Sequence, residues 1–303
     1  MIPLVSVVIA TRDRPEMVRE AIASVRQQVD VGLVEIVLVY DHSEPDLSLA
    51  VTEHGVQTRV TANARTPGLA GARNSGILAA QGEFVAFCDD DDYWMPDKLS
   101  RQLSVLERSP TAVLATCGIS IEYAGERHDR VLARDEITLE DLIRDRLTEL
   151  HPSTFLFRRS ALLGEVGLVD EEVPGGFGED YELLLRTVKV APIRNVSEIG
   201  TVVRWGAQSF FFRRWAMMSE GLQYVVRRHP EIARSRRGLA RIEGQIAFAE
   251  AAQGQRRQAW AHLRAASCSF PLEPRLPLAA LVSIGLVSPS RVMSALHAFG
   301  RGI

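Results

Sequence analysis

The stretch that decides the reading is Phe84-Val85-Ala86-Phe87-Cys88-Asp89-Asp90-Asp91-Asp92-Tyr93-Trp94-Met95-Pro96. Its first half is a short, continuous apolar run, as in a strand of a parallel sheet buried on both faces. The strand gives way at once to four consecutive aspartates. Neighbouring carboxylates repel, and each raises the other's pKa unless a cation neutralises them. A solvated acidic turn capping a helix is the ordinary explanation of such a run. Two neighbours weigh against it here. The residues before it are apolar throughout, and Tyr93 to Pro96 form a bulky shelf rather than a polar loop. Oxygen ligands alone point to Mg²⁺ or Mn²⁺, with Mg²⁺ usually shared between one or two carboxylates and substrate phosphates.

Working outward, the same punctuation recurs. Leu4 to Ala10 is a strand-like run ending at Thr11-Arg12-Asp13-Arg14-Pro15, and Val34 to Tyr40 is another, stopping at Asp41. Gln57 to Thr61 and Ala112 to Thr116 read as further strands. Between them, Pro15 to Gln28, Leu69 to Gln81 and Pro96 to Glu107 carry helical periodicity. Strands alternating with helices imply an α/β fold with a parallel sheet wound by right-handed crossovers. Ligands of such sheets sit beyond the carboxyl ends of the strands. The ends at Thr11 to Arg14, Asp41 and Asp89 to Asp92 are therefore expected to share one crevice.

Past residue 118 the pattern loosens. Ile119 to Tyr123 and Val131 to Ala133 read as short strands around a polar turn, Thr138 to Leu147 as a helix and Ser153 to Arg158 as a strand. His151-Pro152-Ser153-Thr154 reads chiefly as a structural hydrogen-bonding turn, with an acceptor-site role as the alternative. Pro174 to Gly178 is a loop of unusual backbone freedom. It leads into a helix, Glu179 to Val190, and Ile193 to Arg204 is again a strand. Glu179 and Asp180 stand at that helix's first turn, where its dipole favours a carboxylate.

Four of these motifs, in order, resemble those of family 2 glycosyltransferases with the GT-A fold. They are Ser6 to Arg14, Val37 to Ser43, Pro67 to Gly76 and Phe87 to Leu99, and the resemblance extends over about residues 4–205. It implies a GT-A type nucleotide-binding sheet, parallel or mixed, with flanking helices. It also implies a nucleotide-diphosphate sugar donor, UDP- or TDP-linked, and Mn²⁺ or Mg²⁺. By the same resemblance Thr11, Arg12 and Arg14 lie beside the nucleotide, Asp41 bonds the base and Arg73 approaches the nucleotide. Asp89 and Asp91 are the two carboxylates of an Asp-x-Asp motif. Asp91 would be the direct metal ligand, Asp89 would serve ribose or metal, and Asp90 and Asp92 would support them. Asp180 is the implied general base, with Glu179 its rival. The implied reaction is inverting transfer of the sugar to an acceptor hydroxyl, with glycan, lipid-linked and small-molecule acceptors all open. Cell-envelope or exopolysaccharide assembly is the expected setting. Arg204 to Ser209 falls where family members carry a loop over the diphosphate. It lacks the Gln-x-x-Arg-Trp signature of processive synthases, Thr201 standing in place of the Gln.

After Arg204 the sequence is helical to its end, which places a GT-A domain at 1–206 and an α-helical appendage at 207–303. Charge supports two regions of different surface chemistry. Residues 205–303 hold 14 Arg against 5 Glu, a net +9, whereas residues 1–204 hold 21 basic and 33 acidic residues, a net −12. The basic segment matches no nucleic-acid motif, so no nucleic-acid partner is expected. Peripheral contact with an anionic membrane at the inner face of the plasma membrane suits it better. With 46% apolar and 24% charged residues the composition is that of an ordinary globular protein. The longest apolar stretch, Leu276 to Val287, is broken by Pro277 and falls short of the roughly 18 residues a span needs. Cys88, Cys117 and Cys268 are in no metal-like spacing and read as buried thiols of a reducing, cytoplasmic compartment. Met1-Ile2-Pro3 lacks a basic segment, so no secretory leader is expected. Two other functions fit the α/β pattern. One is a catalytically inactive nucleotide- or carbohydrate-binding module. The other is a sugar-1-phosphate nucleotidylyltransferase, disfavoured because Thr11 to Pro15 contains no glycine.

Overall fold

The computed structural model describes residues 2–205 and 214–298. Gly206 to Ser209, the expected helix start at Phe210, Arg213, Phe299 and the expected domain boundary at 206/207 lie outside the described residues.

Among the described residues eleven strands form one sheet: β1 (Val5–Thr11), β2 (Val34–Tyr40), β3 (Thr52–Glu53), β4 (Val56–Ala62), β5 (Phe84–Asp89), β6 (Tyr93–Trp94), β7 (Leu114–Tyr123), β8 (Glu126–Arg130), β9 (Glu136–Ile137), β10 (Leu156–Arg158) and β11 (Ile193–Arg204). The order is β3-β4-β2-β1-β5-β10-β7-β11-β6, with β8 on β7 and β9 on β11. Strands β4, β2, β1 and β5 run parallel, as their apolar runs imply. Strand β10 enters antiparallel between β5 and β7, which makes the sheet mixed.

The chain winds from β1 outward to β2 and β4, then returns to lay β5 on the other side of β1. That reversal is where open α/β sheets leave a crevice. Register brings the strand ends level there: Thr11 lies opposite Tyr40 and Ala10 opposite Asp89.

The helix Pro15–Arg26 starts with Pro at its first position, where a missing N–H costs nothing, and buries Val18, Ala21, Ile22 and Val25. The helix Leu69–Ala79 buries nearly its whole length. It can do so because it presents small residues to the sheet. A Cβ on Gly76 would come to 2.2 Å from Val8 Cγ1, and one on Gly71 to 1.8 Å from the Thr66 carbonyl oxygen.

Three local expectations are corrected. Ile119 to Tyr123 is the second half of a continuous β7, and Val131 to Ala133 is not a strand. Its place is taken by β8, the polar run Glu126–Arg130, which the backbone ladder of β7 holds as an edge strand. Ala124 and Gly125 both have positive φ (52° and 83°), the pairing a tight hairpin requires. Ser153 belongs to a 3₁₀ turn, Pro152–Thr154, so that strand begins only at Leu156. Finally, Cys88 and Cys117 are buried but Cys268 is exposed.

The chain divides into two compact units. The first, Met1–Thr138 with Thr148–Glu171 and Arg186–Arg204, contains the sheet. The second gathers Leu139–Leu147, Glu172–Leu185 and Trp205–Ile303. In the second unit, helices Arg236–Ala252 and Arg256–Ser269 pair through Ala247, Ala251, Ala259 and Leu263, with Ala279 and Val282 of Arg275–Ser283 added. Phe248 meets Trp215 edge-on, with ring centroids 5.6 Å apart.

The crowding at Gly76 generates a prediction. Gly76→Ala destabilises the fold by about 1–3 kcal/mol, the usual cost of overpacking a filled interior, although alanine is the better helix former. Urea unfolding followed by circular dichroism measures it, and an unchanged midpoint contradicts the packing described.

Candidate active site

The four aspartates at the end of β5 are bonded by several elements of the first unit, with Asp90 and Asp91 sharing Arg14. Asp89 Oδ1 is 2.6 Å from Arg73 Nη2 of the Leu69–Ala79 helix. Burial opposes ionisation of Asp89, but Arg73 and then His151 outweigh it, and its carboxyl sits below the usual range. Asp90 accepts from Thr11 Oγ1 at 2.7 Å and from Arg14 Nη1 at 2.9 Å. The same nitrogen reaches Asp91 Oδ2 at 2.8 Å. Burial nevertheless leaves both Asp90 and Asp91 above the ordinary carboxylate range, Asp91 also pushed up by Asp89. Asp92 receives the Ser153 hydroxyl at 2.5 Å and the Arg204 backbone N–H at 3.3 Å, and His151 Nδ1 stands 3.4 Å away. Burial, then the charges of Asp91 and Asp89, push its carboxyl well up.

Asp41 directly follows β2, the strand that pairs with β1. Its N–H donates to the Thr11 carbonyl at 2.9 Å. Its Oδ1 accepts from Asn63 Nδ2 at 2.8 Å and from the Gly68 N–H at 3.0 Å. Thus Asp41 also ties down the loop that starts the Leu69–Ala79 helix. Arg12 is not drawn into this network. It is exposed and its nearest acid is Asp13, at 3.7 Å.

Asp180 and Glu179 belong to the second unit. Asp180 Oδ2 is 2.5 Å from Arg146 Nη2, and its Oδ1 accepts from the Tyr181 N–H at 2.6 Å. The Asp180 side chain is partly exposed, whereas Glu179 is buried.

Asp89, Asp92 and His151 bring one ligand atom each to within 4.8 Å of one another. Two carboxylates and an imidazole form a donor set that a divalent cation fits. Asp91 lies outside this group, engaged by Arg14. The sequence gives Asp92 a supporting part and marks His151-Pro152-Ser153-Thr154 chiefly as a structural hydrogen-bonding turn, without naming Arg146. The polar groups of that run precede a buried strand and need partners, and Asp92 is the partner His151 and Ser153 find. Nothing in the sequence points to Arg146.

Comparison with known proteins identifies the family and the fold. Residues 6–164, just over half the chain, match glycosyl transferase family 2. The chain belongs to that family, and its fold is GT-A. Succinoglycan biosynthesis protein ExoO of Rhizobium meliloti is 32% identical over 202 residues, covering 60% of this chain and 55% of ExoO. The chain spans 39% to 58% of the length of the first curated relatives it matches. Among solved structures, S. aureus TarS in complex with UDP-GlcNAc superposes with a TM-score of 0.62 at 16% identity, covering 98% of this chain and 92% of that one. Mannosyltransferase PcManGT from Pyrobaculum calidifontis, in complex with GDP-Man and Mn²⁺, superposes with a TM-score of 0.58 at 18% identity, covering 99% and 85%. Among the described residues no helix is long and apolar enough to cross a membrane.

One acid beside the site has a pH signature. Glu171 accepts from Asn74 Nδ2 at 2.6 Å, from Arg65 Nε at 2.5 Å and from the Thr66 N–H at 3.3 Å. These bonds overcome the penalty of burial and lower its pKa from 4.5 to about 2. A carboxylate depressed on folding stabilises the fold above its unfolded pKa, and that contribution fades as pH falls through the folded one. The melting temperature of the wild type therefore drops more steeply between pH 4.5 and about 2 than that of Glu171→Gln. Parallel melting curves contradict the bonding described.

Proposed function

We propose that the chain is an inverting, metal-dependent glycosyltransferase. It would move a sugar from a nucleotide-diphosphate donor to an acceptor hydroxyl. The observation that carries this reading is the convergence of Thr11, Arg14, Arg73 and the four aspartates at the reversal of strand order. Arg14 and Arg73, which here pair with Asp90, Asp91 and Asp89, are the cations assigned to a diphosphate, and Thr11, Arg12 and Asp41 are assigned to the nucleotide end. The carboxylate of Asp41 suits a base N–H, and its bonds to Asn63 and Gly68 hold it still for that task.

Asp89 is the carboxylate around which the cation would sit, with Asp92, His151 and the sequence-expected Asp91 as its further donors. An oxygen-rich set with one imidazole favours Mn²⁺ over Mg²⁺, which takes oxygen almost exclusively. The cation would offset negative charge growing on the departing diphosphate. Asp180 is the proposed base that takes the proton of the attacking hydroxyl. Its partial exposure favours it over the buried Glu179, and Arg146 keeps its carboxylate oriented. Attack from the face opposite the nucleotide inverts the anomeric carbon, so no second nucleophilic carboxylate is needed.

Envelope or exopolysaccharide glycan assembly is the proposed setting, which the likeness to ExoO supports. The division into a GT-A domain at 1–206 and a helical region at 207–303 is kept as part of the proposal. So is a peripheral place on the cytoplasmic face of the membrane. The net +9 of residues 205–303 and the exposed Leu281, Ile284 and Leu286 support it. Flotation with vesicles containing anionic lipid is then expected, and Ile284→Asp with Leu286→Asp weakens it. Vesicles that leave both proteins behind remove the membrane from the proposal.

The chemistry is tested by separating binding from transfer. Asp89→Asn abolishes manganese-dependent UDP binding in calorimetry. Asp180→Asn leaves that binding intact and lowers transfer by about 10²–10⁴-fold, the usual share of a general base. Equal loss of UDP binding in both variants defeats this division of roles.

A further inference from the structure

One residue touches every member of the group Asp89, Asp92 and His151. Ser153 is fully buried. Its hydroxyl donates to Asp92 Oδ2 at 2.5 Å and accepts from the Asp89 backbone N–H at 3.0 Å. Its own N–H donates to His151 Nδ1 at 3.4 Å. Its carbonyl accepts from Trp94 Nε1 at 2.9 Å and from Thr201 Oγ1 at 3.1 Å. Every polar group of the residue is engaged.

One of these bonds has a forced direction. A backbone N–H can only donate, so the Asp89 amide takes a lone pair of the hydroxyl, which leaves the hydroxyl proton for Asp92 when that carboxylate is ionised, as it would be with a cation bound. The rotamer of Ser153 is thus set from one side and passes its constraint to the other. The turn carrying it is braced in turn. Gln102 Nε2 donates to the Thr154 carbonyl at 2.7 Å, and Lys98 Nζ holds Gln102 Oε1 at 2.9 Å while lying 3.8 Å above the Trp94 ring.

We infer that Ser153 is a positioning residue that sets the spacing of the Asp89, Asp92 and His151 ligand atoms for a divalent cation. The inference rests on the metal-dependent reading proposed above. Ser153 bonds Asp89, Asp92 and His151 directly and is linked to Arg73 through Asp89, so its first effect falls on the cation's donors. Without the hydroxyl, Asp92 keeps the Arg204 N–H but loses the donor that aims its Oδ2. The Asp89 amide loses its acceptor.

The test is a manganese titration of the full chain with UDP present, read by electron paramagnetic resonance, alongside UDP binding in EDTA. Ser153→Ala weakens manganese binding by about tenfold or more, as removal of a ligand's hydrogen-bonding partner does. UDP binding without metal is unchanged. The half-saturating manganese concentration for transfer rises, and the rate at saturating manganese recovers. Ser153→Thr keeps the hydroxyl and restores the affinity. Unaltered manganese affinity in a folded Ser153→Ala overturns the inference. So does equal loss in the Ala and Thr variants, which marks a purely structural residue. Should Ser153→Ala fail to fold, Thr201→Val, which removes one anchor of the Ser153 carbonyl, decides: weaker manganese binding supports the inference and unchanged binding overturns it. A wild-type chain that takes up no manganese defeats instead the metal reading on which the inference stands.

Discussion

Mutual repulsion among four carboxylates, crowded where a buried strand ends, is the constraint the rest of this site answers. No single partner could relieve it. Arg73 comes from a helix that lies flush on the sheet, Arg14 from the turn after β1, and Ser153 from the turn before β10. The Arg204 amide comes from the end of β11. The four aspartates are therefore shared among several pieces of the first unit, Asp90 and Asp91 both held by Arg14, and the cluster depends on the assembly of those pieces. The relief is also incomplete. Asp90, Asp91 and Asp92 all remain harder to ionise than ordinary carboxylic acids, chiefly through burial. That remaining deficit of positive charge is what the proposed cation would offset.

The approach of Arg73 depends on what the Leu69–Ala79 helix lacks. With glycine at 71 and 76, its backbone can lie against Val8 and the Thr66 carbonyl. From that position the Arg73 guanidinium reaches Asp89 at 2.6 Å, with the Phe87 ring centroid 5.6 Å away. Asn74, next in the helix, both donates to and accepts from the backbone of Val169 at 2.8 and 2.9 Å. Glu171 then clamps the loop ahead of the helix through Arg65 and Thr66.

Much of this was legible in the sequence. The parallel strands β1, β2 and β5 announce themselves as apolar runs, and each is followed by the polar residues of the crevice. The α/β class, the order of motifs and the aspartate run all follow from local composition. What was not legible depends on distant pairing. Strand β10 is three residues long, and its insertion between β5 and β7 leaves no trace in its own composition. That insertion is what docks His151 and Ser153 against Asp92, a contact that no local pattern announces. Lys98 is a second case. A lysine reads as a surface residue, yet this one is buried beside Trp94 and Gln102, and burial lowers its pKa to about 8. The polar strand β8 hid for the opposite reason, having no apolar alternation to betray it.

The distribution of thiols has a practical corollary. Burial pushes the Cys88 and Cys117 thiols upward and keeps reagents from them, while Cys268 stands open on the helix Arg256–Ser269. Because the chain has only these three cysteines, a maleimide dye would mark the helical unit at one native position. No engineered handle would be required to follow that unit's tumbling in the presence of a sugar nucleotide.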